Sequence, residues 1–348
     1  MVGQMNEEDM TEHLSTASPT QFRVVGGSYV DAIKTEDLVR HFGDVQAVKG
    51  VNLRIPKGEI YGFLGPNGAG KSTMVHMLCT LLAPSGGRAT VAGFDVESDP
   101  GKVRLRIGVA LQEAALDPKQ TGEELLSLQG RLYGLRRREI QQRVGELAEL
   151  IDLGDFLGRL VGTYSGGMRR RLDLAAALIH NPEVVFLDEP TTGLDPVSRV
   201  QVWSEVRRIN AELGVTIFLT TQYLEEADEL AHRVGIIDHG QIVAEGTPGD
   251  LKRAVGSDLI LVRVEGDTTE AMSVLANVPG VQNVEVHANE LVITTSTGSA
   301  TISPVAVALA GTSVVVRDLT LRTPTLDDVF LELTGTHIET TESQEEPS

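Results

Sequence analysis

Apolar positions divide the chain into two regions with different rhythms, set between polar ends. From about Ala32 to Val255, short apolar runs alternate with stretches of helical spacing. Glu59 to Leu64 reads as a buried strand, followed by a glycine-rich turn and a helix from Lys71 to Leu82. Glu183 to Leu187, Val215 to Thr220 and Val234 to Ile237 read as further buried strands, and Pro196 to Leu213 as a helix. Strands alternating with helices predict an α/β domain built on a largely parallel, doubly wound sheet. Thr121 to His180 is almost all helical in pattern, which predicts a helical subdomain (about 113–180) inserted into the sheet domain.

The second region, 258–335, follows another order. Leu259 to Val264 is strand-like and Thr268 to Ala276 helix-like. Val281 to Val286 and Leu291 to Thr295 form a strand pair around Ala288-Asn289. Ile302 to Ala310 is helix-like, Val314 to Leu321 alternates, and a last helix follows Pro324. The order β-α-β-β-α-β predicts a small α+β domain of ferredoxin-like type. The division expected is therefore a sheet domain over 32–255, an accessory domain over 258–335, and flexible acidic tails over 1–31 and 336–348.

Composition narrows the function. The 348 residues carry 49 acids against 30 Lys and Arg, a net charge of −19. Such a balance argues against a broad nucleic-acid-binding surface, though not against a local phosphate site built from backbone N–H groups. The single cysteine, Cys79, excludes an intrachain disulfide framework and sits among apolar residues as a small core hydrophobe. Met74, Met77 and Trp203 likewise fit a core. The N-terminus lacks a basic-then-apolar leader, and no apolar run approaches the roughly 20 residues that span a bilayer.

Gly65-Pro66-Asn67-Gly68-Ala69-Gly70-Lys71-Ser72 matches G-x-x-x-x-G-K-[ST] between the expected strand and helix, with Thr73 next. Glycines let successive N–H groups converge on phosphate oxygens, and the helix adds its positive N-terminal end. In this motif the lysine, Lys71, reaches the β- and γ-phosphates and the hydroxyl of Ser72 ligates Mg²⁺. The motif specifies a nucleoside triphosphate and no more. The apolar strand ending in Asp188-Glu189-Pro190 places two carboxylates at its C-terminal edge. Asp188 is suited to hold Mg²⁺ and Glu189 to orient and polarise a water. Tyr164-Ser165-Gly166-Gly167-Met168, followed by three arginines, sets a serine N-cap on an anion-accepting helix start.

That last stretch closely resembles the LSGGQ signature of ABC ATPases, with Tyr for Leu and Met for Gln, and the resemblance extends over 36–250. It implies that Phe42 stacks on adenine, that Gln112 touches Mg²⁺ and senses a membrane partner, and that Gly193-Leu194-Asp195-Pro196 is a D-loop. In Thr220-Thr221-Gln222-Tyr223-Leu224-Glu225-Glu226-Ala227-Asp228, Gln222 stands where the family has a histidine that contacts the γ-phosphate. A glutamine amide still donates a hydrogen bond but never becomes cationic. This stretch, the Tyr-Ser-Gly-Gly-Met-Arg-Arg-Arg signature and the ending Thr325-Leu326-Asp327-Asp328-Val329-Phe330-Leu331 resemble the ATP-binding subunits of daunorubicin/doxorubicin-resistance exporters.

The resemblance implies an ATPase using ATP and Mg²⁺. Lys71, Glu189 and Gln222 act in hydrolysis. Ser72, Gln112 and Asp188 hold the metal. Residues 65–73, Phe42, Gln112, Ser165, Gly166, Gly167 and Asp195 meet nucleotide. It further implies a head-to-tail pair of ATPase domains, a separate integral-membrane permease, and a peripheral place at the cytoplasmic face of the membrane. The transported molecule implied is an amphipathic drug, antibiotic or lipid. The alternatives are an ABC ATPase that does not transport, which the net charge and the single ATPase domain disfavour, and a nucleotide-gated switch without turnover.

Overall fold

The computed structural model describes residues 31–111, 116–266, 268–287 and 290–334. In chain order the first region contains β1 (Asp31–Phe42), β2 (Val45–Pro56), β3 (Ile60–Leu64), α1 (Lys71–Leu78), β4 (Gly86–Val91), β5 (Phe94–Asp95), α2 (Pro100–Arg104) and β6 (Ile107–Ala110). Then come α3 (Gly122–Leu132), α4 (Arg137–Leu150), α5 (Gly166–Leu178), β7 (Val184–Asp188), α6 (Pro196–Leu213), β8 (Thr216–Thr221), α7 (Leu224–Leu230), β9 (Arg233–Asp238), β10 (Gln241–Gly246) and α8 (Pro248–Val255).

The central sheet has the order β10-β9-β3-β8-β7-β6, parallel except for the β10–β9 pair. Its interior strands are apolar at successive positions because both faces are covered. Along β7, Val184 and Phe186 enter one core with α1 and the β1–β2 hairpin, while Val185 and Leu187 enter the other with α5 and α6. The expected strands and the helix over Pro196 to Leu213 are present. Two expectations are corrected. The helix after the glycine loop stops at Leu78 rather than Leu82, with Thr80 turned to φ 61°. The stretch from Thr121 to His180 is less helical than expected: it carries α3, α4 and α5, but between α4 and α5 it holds only two single 3₁₀ turns, at Gly154–Phe156 and Val161–Thr163. A four-stranded antiparallel sheet, β2-β1-β4-β5, also packs on the central sheet and had no counterpart in the sequence reading.

The second region contains β11 (Asp258–Glu265), α9 (Thr268–Leu275), β12 (Val281–His287), β13 (Glu290–Thr295), α10 (Gly298–Ala310), β14 (Val315–Arg322) and α11 (Leu326–Thr334). Read as β14-β11-β13-β12, with every pair antiparallel, its sheet has the ferredoxin-like order. Ile260, Val262, Val264, Leu291 and Ile293 pack against Ala271 and Leu275 of α9 and Val305 and Leu309 of α10. The turn at Ala288-Asn289 and residues 1–30 and 335–348 of the expected tails lie outside the described residues. The last helix leaves this unit: Val329 and Phe330 of α11 are buried with Ala227, Val234, Ile236 and Leu251 of the first region.

Candidate functional site

The loop after β3 is tight because its glycines permit no side chain. A Cβ on Gly65 would lie 2.3 Å from the carbonyl oxygen of Ile237, and Gly70, at φ 111°, would place one 2.6 Å from that of Ala47. Gly70 leads into α1 with no side-chain cap, leaving the helix start for an anion. Lys71 Nζ donates to the carbonyl oxygens of Gly65 (2.7 Å) and Pro66 (3.2 Å) and stands 3.9 Å from Glu189 Oε1. Burial lowers the Lys71 pKa, against the pull of Glu189 and Asp188.

The two carboxylates emerge where β7 ends. Thr220 on the neighbouring β8 donates its hydroxyl to Asp188 Oδ1, and the Glu189 N–H donates to Thr220 Oγ1 at 3.2 Å and to the Thr220 carbonyl at 3.0 Å. Glu189 turns the chain at φ 47°, and Thr192 Oγ1 donates to its Oε2 at 3.2 Å. Gln222 is 4% exposed, and its Oε1 is buried without a hydrogen-bond partner. A cavity of about 660 Å³ joins these groups: Asn67, Gly68, Gly70, Lys71, Ser72 and Thr73 on one side, Glu189 and Gln222 on the other. Gly65, Pro66 and Ala69 shape the loop without lining the cavity.

Behind the cavity lies a buried polar network. Glu226, fully buried on α7, accepts from Thr191 Oγ1 (2.9 Å) and Trp203 Nε1 (3.1 Å), and burial raises its pKa. Trp203, expected as plain core, is thus also a donor. Arg170 on α5 donates to the carbonyl of Leu111 (3.1 Å), to Asp173 Oδ2 (3.0 Å) and, at longer range, to the carbonyls of Ala110 (3.5 Å) and Asp188 (3.4 Å). Cys79, Met74 and Met77 are buried in the core.

The remaining expected site residues do not join the cavity. Ser165 caps α5, accepting from the Met168 N–H at 3.2 Å, and Ser165 and Gly166 are exposed outside the lining. Asp195 caps α6 through Val197 N (3.1 Å) and Ser198 N (3.0 Å), and the Ser198 hydroxyl, bonded at 2.6 Å, leads the causes that lower its pKa. Leu194 lines the cavity and also lies beside Gly166, so one loop touches both places. Phe42, 47% exposed under the Arg40 guanidinium near the end of β1, is not in the lining. Gln112 lies outside the described residues.

Comparison with known proteins agrees with this geometry. Residues 48–192 match the ABC transporter family, and residues 246–334 match the family described as ATP-binding protein DrrA1-3-like, C-terminal domain. The chain is 48% identical over 318 residues to the daunorubicin resistance ATP-binding protein DrrA2 of Streptomyces coeruleorubidus, covering 90% of this chain and 98% of that one. The chain belongs to the DrrA family of ABC transporter ATP-binding proteins. As a DrrA-family subunit it is an ATPase that hydrolyses ATP for transport.

Among solved structures, CbiO1 of Clostridium perfringens, part of the ABC transporter complex CbiONQ, superposes with a TM-score of 0.61 at 28% identity, covering 65% of this chain and 94% of that one. A dimeric ATP-binding cassette in a post-hydrolysis state with ADP and Pi superposes with a TM-score of 0.56 at 26% identity, covering 62% and 98%. ABC ATPases dimerise and pair with membrane subunits. In the DrrA-family chain no described helix is long and apolar enough to cross a membrane. Sequence reasoning missed four residues of the cavity: Ala47, Thr192, Arg199 and Tyr223. Tyr223 and Thr192 adjoin motif residues and could have been read by adjacency; Ala47 arrives from a hairpin distant in sequence, and nothing in the sequence marked it.

Proposed function

We propose that this chain powers export of an amphipathic drug-like or lipid-like molecule through a separate membrane subunit, by closing on ATP as a head-to-tail pair and reopening after hydrolysis. One observation carries the reading: Lys71, Ser72, Glu189 and Gln222 share a cavity, whereas Ser165 and Gly166 stand exposed outside it. A serine-capped helix start with two glycines is built for an anion. The cavity of a second copy supplies that anion as the γ-phosphate. The pairing of the cassette solved with ADP and Pi supports this arrangement. The cargo class follows the daunorubicin resistance named for the Streptomyces relative.

In this reading the backbone N–H groups of residues 65–70 and Lys71 bind the phosphates, and ATP joins Lys71 of one copy to Ser165 of the other. Glu189, held by Thr192 and Thr220, orients the attacking water and draws its proton. Gln222 donates its amide to the γ-phosphate, and Asp195 lies at the seam between copies. The donor set suits Mg²⁺: the Ser72 hydroxyl and the Asp188 carboxylate are hard oxygen ligands, and Mg²⁺ binds through one or two carboxylates plus phosphate oxygens rather than an all-protein cage. No group of three or more His, Cys, Asp and Glu residues suited to a metal occurs among the described residues, in keeping with such a shared site. Ser72, Asp188 and Gln112 would hold the ion, which neutralises phosphate charge when bound. Phe42 is taken as an adenine platform beside the turn of the β1–β2 hairpin.

The membrane subunit has a separate place to bind. A cavity of about 640 Å³ opens between β6 and α3, lined by Leu111, Leu116, Gln120, Leu128 and Tyr133, the first two flanking Gln112 in the sequence. An amphipathic cytoplasmic helix of the permease fits this groove and holds the ATPase at the cytoplasmic membrane face.

The test is the Glu189→Gln variant. Turnover is expected to fall at least a hundredfold while ATP binding persists, and the ATP-bound form is expected to sediment as a dimer that ADP does not support. A variant that binds ATP yet stays monomeric, alone and with its permease, sinks the reading.

A further inference from the structure

One carboxylate beside the site is used neither to bind phosphate nor to activate water. Glu226 stands in the first turn of α7, four residues after Gln222, and is fully buried. Its Oε1 accepts from the Thr191 hydroxyl at 2.9 Å and from the Trp203 indole N–H at 3.1 Å. The three residues come from three separate pieces of chain. Thr191 lies two residues beyond Glu189, Trp203 lies inside α6, and Glu226 follows the Gln222 loop. Burial raises the Glu226 pKa against the pull of its donors and of Arg170, so this group is costly to keep here. Leucine would serve packing alone. What the carboxylate adds is one acceptor shared by two directed donors.

The segment from Glu189 to Asp195 is where such a fixed point matters. Thr192 donates to Glu189 Oε2, Leu194 lines the cavity, and Asp195 caps α6. Thr191, fully buried within this segment, ties it to α7 through Glu226. Trp203 bonds the same oxygen from α6, so the segment, α6 and the start of α7 meet at a single atom.

We infer that Glu226 is a positioning residue for hydrolysis: its Oε1 holds the Glu189–Asp195 segment, through Thr191, in register with α6 and with Gln222. It touches neither nucleotide nor water. The inference rests on the role given to Glu189 above and adds the residue that keeps its segment in place.

The experiment measures turnover per nucleotide-binding site, the KM for ATP and MgADP affinity in the full-length chain. Glu226→Leu, close in volume but without an acceptor, is expected to lower kcat about tenfold or more. KM and ADP affinity stay within about twofold, because a displaced catalytic group costs more in the transition state than in binding. Glu226→Gln keeps a carbonyl oxygen for both donors and recovers most of the loss. Thr191→Val removes one donor and gives a smaller loss of the same kind. Combined with Glu226→Leu it adds less than its separate factor, as expected of partners in one bond. The Thr191→Val measurement stands even if Glu226→Leu does not fold. Wild-type kcat in Thr191→Val, a fall in ADP affinity that matches the fall in kcat, or Glu226→Gln as slow as Glu226→Leu overturns the inference. Full turnover in Glu189→Gln removes the reading beneath it instead, so that control separates the two failures.

Discussion

Thr220 fastens two consecutive carboxylate residues at once. Its hydroxyl donates to Asp188, and the Glu189 N–H bonds back to both its hydroxyl and its carbonyl. Replacing it with valine keeps the β-branched shape of a central strand but frees the Asp188 carboxylate and removes one of the two bonds to the Glu189 N–H. Thr220→Val is therefore expected to lower turnover about tenfold, with ADP affinity near wild type, because a loosened catalytic group costs more in the transition state than in binding. Steady-state kinetics beside an ADP titration reads both. His180 gives a pH-dependent counterpart. Its ring stacks on Tyr133 with centroids 3.6 Å apart, its Nε2 meets the Ile107 carbonyl, and burial pushes its pKa down to about 4. A histidine held neutral contributes stability above its ordinary pKa and loses it as pH falls from about 6.5 towards 4. Urea unfolding at pH 7 and pH 4.5 is expected to show wild type losing about 2 kcal/mol more than His180→Phe over that interval. At this scale the sequence revealed groups whose chemistry depends on a local string, such as Lys71, Asp188 and Glu189. It did not reveal Arg199 among the cavity residues, because only the fold brings the start of α6 to the Tyr223 ring after β8.

One polar side chain of helix α5 ties it to two strand ends. Arg170 reaches the end of β6 through Ala110 and Leu111 and the end of β7 through Asp188, while Asp173 accepts from it on the same helix. Burial raises the Asp173 pKa to about 6 against the pull of Arg170. Removing only the arginine leaves a buried carboxylate without its partner, so Arg170→Met is expected to cost about 3 kcal/mol. Adding Asp173→Leu should restore part of that in the same urea titration, and a double variant no more stable than the single one would refute the pairing. The uniformly buried strands β3, β7 and β8 were legible from their apolar runs because both of their faces are covered. The β1–β2 pair was not: its register shifts at several places, including Thr35/Leu38 and Arg40/His41, which erases the period of two on which a strand is recognised. The stretch between α4 and α5 misled for the opposite reason. Leu153, Val161 and Tyr164 are buried like helical core residues, yet their backbone follows 3₁₀ turns and loop.

Two copies of a chain with net charge −19 repel each other before they pair. Association of Glu189→Gln with ATP is therefore expected to strengthen, by severalfold, as salt rises from about 20 to 200 mM, since the Debye length shrinks to below about 10 Å. Sedimentation across that series checks it; weakening with salt would mean that opposite charges at the seam outweigh the overall repulsion. The order of strands in the second region was readable because each alternates over a single covered face, but the destination of α11 was not. Its Val329 and Phe330 look like any apolar helix stripe, and only the structure sends them back to α7, α8 and β9. The chain therefore departs from α8 and returns through α11 to the same spot, with Gly256 lying against Pro324 where the outgoing and incoming strands meet. Everything between those two residues is a loop closed by its own stem. A short linker across that stem would excise the accessory unit and leave α11 seated, so relatives could exchange these units as interchangeable inserts without disturbing the engine beneath.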